Sequence, residues 1–309
     1  MSVFYRHMKW LIFGAKGWIG QQVSDFLISF GEEVVKNGQH FSSFSNLKDY
    51  IDSIHPDRIV CAVGRTYGPG FTTIDYLEQQ GKLTENLESN LLFPVWIAQA
   101  SHSIPILYFG TGCIYEYDEE HTLDNHVGFT EEDEPNFVGS SYSAVKRITD
   151  KIMGQFPHVL NARIRMPISD KEHPRDFITK ISNYTKITSI PNSMTVLSDI
   201  LPILLAILFE AKEFGTLNAV NPGVLDHKSI LSMLEKYTSK RLHYENESLE
   251  EQGKRLLSKR SNNQLSSKRI EQLVSSLEKK TCERFHIQPL LDLDLRVDFL
   301  LNKRYLSER

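Results

Sequence analysis

Six short apolar runs recur along this 309-residue chain, separated by stretches of mixed polarity. They are residues 9–13 (KWLIF), 33–35, 58–63 (RIVCAV), 106–109, 159–164 (VLNARI) and 216–220. The segments between them carry apolar residues at helical spacing. Val23, Phe26, Leu27 and Phe30 mark one helix, and Leu91, Val95 and Ala98 mark a longer one over 83–100. A further helix is predicted over 44–54. Strands alternating with amphipathic helices predict an α/β fold, with a doubly wound parallel sheet and right-handed crossovers. Pro94, inside the long helix, predicts a kink, because proline lacks the N–H and crowds the preceding turn. Beyond Pro167 the alternation loosens. An apolar helix over 201–209 and further helices over 229–237, 248–258 and 266–277 predict a smaller second domain. The expected division is 1–166 for the first domain, with 193–222 returning to its sheet, and mainly 167–309 for the second.

The first apolar run enters Gly14-Ala-Lys-Gly17-Trp18-Ile19-Gly20, and a helix follows. Glycines between a strand and a helix let a backbone approach a pyrophosphate, and the helix N-terminus favours its charge. A plain strand–turn–helix junction is the simpler alternative. In the dinucleotide reading the first domain is a Rossmann domain, and Gly14, Gly17, Trp18, Ile19 and Gly20 contact the cofactor. After the second strand the chain runs Lys36-Asn-Gly-Gln-His40, with no acid to hold ribose hydroxyls. That leans to NADPH, with Lys36 or His40 near the 2′-phosphate, and NADH as the alternative. Both residues equally suit a solvated loop. The third strand opens into a Gly-rich segment, so Ala62 and Gly64 join the expected cofactor contacts, as do Asn90 and Arg165. Asp75 and Glu78 follow on a polar segment, where contact with the sugar is one reading and a solvated face is the simpler one.

Composition narrows the function. A net charge of −4 gives no general reason to bind nucleic acid or a membrane surface. Three cysteines, Cys61, Cys113 and Cys282, are too few and too scattered for a disulfide framework or a zinc site. They suit a reducing cytoplasm. The N-terminal residues lack the apolar run and cleavage site of a leader peptide. The apolar helix over 201–209 is too short to span a bilayer. Lys and Arg around 254–259 are expected on a solvated face.

Chemistry concentrates between Phe109 and Lys146. Thr111 stands at the end of a strand, and Tyr142 and Lys146 are four apart in SSYSAVK, on one face of a helix. A phenol beside a cation has a lowered pKa. A Thr, a Tyr-x-x-x-Lys and a dinucleotide loop together suit proton delivery to a carbonyl next to a nucleotide cofactor. The plainer alternative packs the Tyr142 ring and lets Lys146 reach solvent. Cys113 lies two residues beyond Thr111. If strand geometry persists, both side chains face the same side. On these grounds alone Cys113 is a small buried hydrophobe.

This combination resembles the extended short-chain dehydrogenases/reductases of the dTDP-4-dehydrorhamnose reductase type. The segments GWIG (17–20), TGCIYEYD (111–118), GFTEEDEPNFVGSSYSAVK (128–146), RIRMPIS (163–169), PRDFITKI (174–181), IPNSMTVL (190–197), NPG (221–223) and RSNNQL (260–265) are similar to the bifunctional UDP-4-keto-6-deoxyglucose 3,5-epimerase/4-reductases that make UDP-L-rhamnose. The resemblance covers most of the chain and is weakest over 65–85 and 239–258. It implies two reactions in one pocket. Cys113 then becomes an epimerisation acid/base, since thiols near cations exchange protons close to neutrality. Lys180 becomes its partner, with His173 as rival. In the reduction NADPH gives hydride to C4, Tyr142 gives the proton, Lys146 lowers the Tyr pKa, and Thr111 binds the developing alkoxide. Gly112, where many relatives place Asp, marks the bifunctional branch. The resemblance further implies substrate contacts from Glu116, Asn192, Thr195, Asn221 and Arg260, the last on the diphosphate. It also implies a homodimer, and a separate 4,6-dehydratase that supplies the nucleotide sugar. Two alternatives stand beside it: a monofunctional 4-reductase, and a cofactor-binding regulatory subunit without catalysis.

Overall fold

A computed structural model of the chain describes residues 7–238 and 241–306. Residues 1–6, on which the expectation about a leader partly rests, lie outside the described residues. Six parallel strands form one sheet: β1 (Lys9–Phe13), β2 (Glu33–Lys36), β3 (Arg58–Cys61), β4 (Ile106–Thr111), β5 (Val159–Ile164) and β7 (Gly215–Asn218), in the order β2-β1-β3-β4-β5-β7. The order reverses direction between β1 and β3, which is where open α/β sheets bind their ligands. A small parallel pair, β6 (Lys186–Ile187) with β8 (Glu245–Asn246), lies apart from it.

The sheet is buried on both faces, so its strands are continuous apolar runs. Side-chain alternation divides each strand between two cores. Trp10, Ile12, Val60, Leu107 and Phe109 pack with α1 (Trp18–Ser29) and α7 (Leu197–Glu210). Leu11, Phe13, Ile59, Cys61, Ile106 and Tyr108 pack on the other face, against α2 (Phe44–Ile54) and α4 (Phe93–Ala100). The apolar helix expected over 201–209 is the longer α7, almost wholly buried because it fills the first core. A third cluster gathers Ile178 and Ile181 of α6 (Phe177–Ile181), Ile230, Leu231 and Leu234 of α8 (His227–Thr238), and Val297, Leu300 and Leu301 of α12 (Leu293–Leu306). The sequence reading had no helix at α11 (Lys279–Phe285) or at α12.

Two expectations about the long helix change. Residues 83–100 are α3 (Leu83–Leu87), a π-helical turn (Glu88–Leu92) and α4. Pro94 sits in the first turn of α4, where its missing N–H costs least. The regular helix is interrupted by the wider turn just before the proline. That turn carries Asn90, which accepts from the Arg65 N–H (3.0 Å) and donates to the Arg65 carbonyl (2.9 Å). The loop after β3 is clamped by this one amide.

The helix α5 (Ser141–Met153) carries Tyr142 and Lys146, and its seat is electrostatic as well as apolar. Asp150 receives two bonds from Arg163 of β5, from Nε at 3.0 Å and Nη2 at 2.7 Å. Asn161 donates to the same carboxylate at 2.7 Å. All three residues are buried. Removing one member of such a pair strands the other charge in low dielectric. Asp150→Ala is expected to lower stability by about 3–5 kcal/mol, read from the midpoint of denaturant unfolding.

Candidate active site

The glycine loop follows β1 at the reversal point of the sheet. Gly14 has φ +78°, and a Cβ there would stand 2.6 Å from the Ala62 carbonyl oxygen, so only glycine fits. This close approach brings the loops after β1 and β3 together. Gly17 precedes α1 without a side-chain cap, no acid occupies the first turn, and Gly20 is buried within it. The amides at the start of α1 therefore remain available to an anion. Trp18 and Ile19 are half-buried beside them, Ala62 is half-buried, and Gly64 is exposed. Gly14, Gly17, Trp18, Ile19 and Gly20 thus stand beside the loop of Ala62 and Gly64 at the reversal point. Lys36 and His40 are exposed beyond β2, Lys36 lying 3.8 Å from Asp25.

The catalytic set assembles at the end of β4. Thr111 faces the Tyr142 phenol, where its hydroxyl favours the ionised form. The strand stops at Thr111, and the Cys113 N–H folds back to donate to Thr111 Oγ1 at 3.1 Å. Strand parity therefore does not extend to Cys113; a turn carries it back toward Tyr142. Cys113 and Tyr142 belong to one packed cluster with Tyr76 and Leu77. The Cys113 carbonyl accepts from Ser143 Oγ at 2.7 Å, which ties the turn to the first turn of α5. Ser140 caps α5 through the Ser143 N–H at 3.0 Å. Glu78, expected on a solvated face, instead accepts from the Ser141 N–H at 2.7 Å and from its hydroxyl at 2.9 Å. A carboxylate at a helix N-terminus is stabilising, so Glu78 orders the start of the catalytic helix.

The expected pairing of Lys146 with Tyr142 takes another form. Lys146 Nζ donates to Tyr108 Oη and lies 3.4 Å from the Phe109 carbonyl. Burial pushes the Tyr142 phenol well above its usual pKa, and nearby Cys113 adds to this; the Thr111 hydroxyl and the Arg175 charge oppose it. Burial pulls Lys146 down to about 8. The lowered phenol pKa is therefore absent from this arrangement.

The two candidates for the second acid/base, Lys180 and His173, stand in different surroundings. Lys180 sits at the end of α6, and among the described residues its Nζ has no ion pair or hydrogen bond. Burial pulls it down to about 8, helped by the Arg175 charge and opposed by Asp176. His173 is otherwise engaged. Its ring stacks on Trp18 with centroids 5.2 Å apart, and its Nδ1 accepts from the Arg175 N–H at 3.0 Å. Arg175, which the sequence reading did not single out, donates to Thr66 Oγ1 at 2.7 Å and lies 3.7 Å over the Tyr67 ring. The 173–175 segment thus touches both the glycine loop and the loop after β3.

Several expected contacts lie in the scaffold behind the site. Arg165 is 1% exposed and donates to Gly112 O (3.0 Å), Ser261 Oγ (3.0 Å), Ser261 O (3.2 Å) and Asn192 Oδ1, with Cys113 Sγ 3.9 Å away. Its place is under the catalytic turn rather than along the glycine loop. Asn192 is fully engaged with Arg165, Asn262 and Asn263. Thr195 accepts from the Arg165 N–H and donates to Ala219 O, and Asn221 bridges Val196 and Asp199. Asn90 has the clamping position already described. Arg260 pairs with Asp75, which is buried and also accepts from Ser258. Asp75 is therefore no solvated residue, and its carboxylate is the partner that Arg260 meets here. Glu116 is exposed. Tyr108 and Arg175 carried no sequence signal, because their partners are 38 and 109 residues away.

No family model matches the chain. A bifunctional dTDP-4-dehydrorhamnose 3,5-epimerase/dTDP-4-dehydrorhamnose reductase of Arabidopsis thaliana is 35% identical over 263 residues, covering 84% of this chain and 85% of that protein. The chain belongs to this epimerase/reductase family. The crystal structure of L780 UDP-rhamnose synthase from Acanthamoeba polyphaga mimivirus matches with a TM-score of 0.87 at 43% identity, covering 96% of this chain and all of that one. The trifunctional RHM1 of Arabidopsis thaliana, named as a UDP-glucose 4,6-dehydratase, 3,5-epimerase and reductase, is 36% identical over 266 residues; that is 85% of this chain but only 39% of RHM1. A dTDP-4-dehydrorhamnose reductase from Bacillus anthracis shares the fold, with a TM-score of 0.72 at 13% identity.

Gly112 acquires a steric meaning within this family's turn. A Cβ there would stand 2.5 Å from Leu265 Cδ1 and 2.9 Å from Arg165 Cδ. Gly112→Ala is expected to cost about 1–3 kcal/mol, measured as a lower unfolding midpoint, because the packed Leu265 and Arg165 must move.

Proposed function

We propose that this chain completes the synthesis of a nucleotide-linked L-rhamnose in two steps at one site. It epimerises UDP-4-keto-6-deoxyglucose at C3 and C5, then reduces the C4 ketone. The observation that carries this reading is the turn from Thr111 to Cys113, which sets a thiol and the Tyr142 phenol side by side. The names of the similar proteins support the same substrates: UDP-rhamnose synthase for L780 and a 3,5-epimerase/reductase for the Arabidopsis protein.

Protons at C3 and C5 are acidic because each removal gives an enolate whose negative charge rests on the C4 oxygen. Cys113 takes the proton from one face and Lys180 returns one to the other. Thr111 holds the C4 oxygen as negative charge develops on it, first as enolate and then as alkoxide. Tyr142 supplies the final proton to that oxygen, and the buried Lys146 cation one turn along α5 favours the phenolate that this leaves. NADPH, when bound, supplies the hydride. The glycine loop and the amides of α1 fit its pyrophosphate, and Lys36 and His40 are the cations near its 2′-phosphate. The third apolar cluster forms the lobe that receives the nucleotide sugar. The protein acts in the cytoplasm as a homodimer and takes its substrate from a separate 4,6-dehydratase.

The two steps are separable by mutation. With UDP-4-keto-6-deoxyglucose in D₂O, Cys113→Ala is expected to lose deuterium incorporation at C3 and C5, read by mass spectrometry. Tyr142→Phe is expected to keep incorporation and lose NADPH oxidation by about 10²–10⁴-fold. Equal loss of both activities in both variants overturns the division of roles. Lys180 sits near 8. Its proton-donating form is complete below that pH and is lost above it, so epimerisation is expected to decline as pH rises through about 8. Exchange that stays flat to pH 9.5 or above, on the order of a full unit past that value, removes Lys180 from the mechanism.

A further inference from the structure

Tyr108 has no place in the chemistry derived so far. It lies mid-strand on β4 and is wholly buried among Ile97, Met153 and Cys61, where phenylalanine would pack as well. Its hydroxyl is therefore the feature that needs a reason. Among the described residues its one side-chain hydrogen bond is the one it accepts from Lys146 Nζ. The ammonium also lies 4.5 Å from the centroid of the Tyr108 ring, within reach of its negative face.

The surroundings of Lys146 make that oxygen important. The lysine is 4% exposed, and an ammonium has three protons to place. Its second acceptor, the Phe109 carbonyl, stands at 3.4 Å. Among the described residues no carboxylate forms an ion pair with it. The titratable groups that face it are Cys61 from β3, Tyr108 from β4, Cys113 from the catalytic turn, and Tyr142 and Asp150 from α5. Burial holds the thiol of Cys61 at about 11 and keeps both phenols neutral. Asp150 is charged but committed to Arg163 and Asn161.

We propose that Tyr108 is a positioning residue for Lys146, its phenol oxygen holding the buried ammonium in its charged form at the foot of the catalytic pair. The inference rests on the proposed reduction for its purpose, but its geometry does not depend on any sugar. Burial has already brought the lysine to about 8. Removing one of two acceptors weakens the charged form further, so the lysine titrates lower and is neutral at a pH where it must be a cation.

The test is a titration of the cofactor-free protein by NMR, with lysine labelled at the ε-carbon and Lys146 assigned through Lys146→Met. The wild-type midpoint is expected near about 8, and in Tyr108→Phe about one unit lower, a tenfold smaller charged fraction above the midpoint. Tyr108→Phe removes one oxygen from an apolar cluster. A second measurement on the unaltered protein, labelled at the tyrosine ζ-carbon, is expected to show the Tyr108 resonance shifting with the same midpoint as Lys146. The alkaline limb of ketone reduction is expected to move to lower pH in Tyr108→Phe by the same amount. A lysine midpoint unchanged in the folded variant, or a Tyr108 resonance flat through the titration, overturns the proposal. Failure of the sugar reaction alone would leave both resonances readable and would count against the proposed function instead.

Discussion

The bidentate pair between Arg163 and Asp150 governs where the chemistry stands. It joins β5, at the far side of β4, to the helix that carries Tyr142 and Lys146. Hydrophobic packing alone leaves a helix some freedom to slide along a sheet, because apolar contact is non-directional. Two parallel hydrogen bonds in a dry interior do not. Glu78 and Ser140 then fix the helix start, and Thr111 meets the phenol at the end of the adjacent strand. The position of one hydroxyl thus follows from a charge pair two helical turns away.

Behind the catalytic turn lies a second polar lattice built around Arg165. The segments 192–195 and 261–263 come from distant parts of the chain and meet there through hydrogen bonds to Gly112, Tyr115 and one another. The lattice supplies rigidity to a turn that has no regular secondary structure of its own. Residues expected to touch the substrate sit inside it because asparagine and threonine can satisfy several buried backbone groups at once. Their side chains shape the pocket indirectly, by holding its wall.

The sequence made the sheet legible because each of its strands is an apolar run between polar turns, and the same periodicity located most of the helices. The glycine loop, Thr111, Tyr142 and Lys146 were legible for a related reason: short spacings in one strand or helix are geometric facts. What escaped was long-range pairing. Arg260 was expected on the diphosphate, and nothing in its sequence neighbourhood announces its pairing with Asp75. Glu78 read as solvated because a cap supplied from another element leaves no local pattern. Lys146 was expected beside Tyr142, four residues back, and instead faces Tyr108, whose aromatic ring had looked like ordinary core.

Gly112 has one more effect, beyond the room it leaves for Leu265 and Arg165. With no side chain at that position, no carboxylate stands between Thr111 and Cys113. In the proposed mechanism Cys113 works as a thiolate and the sugar oxygen becomes an anion, and an aspartate at 112 would add a fixed negative charge near both. Like charges at such range raise the free energy of both. The bare backbone therefore keeps the local potential tolerant of two successive anions, a condition that a site performing only the reduction need meet just once.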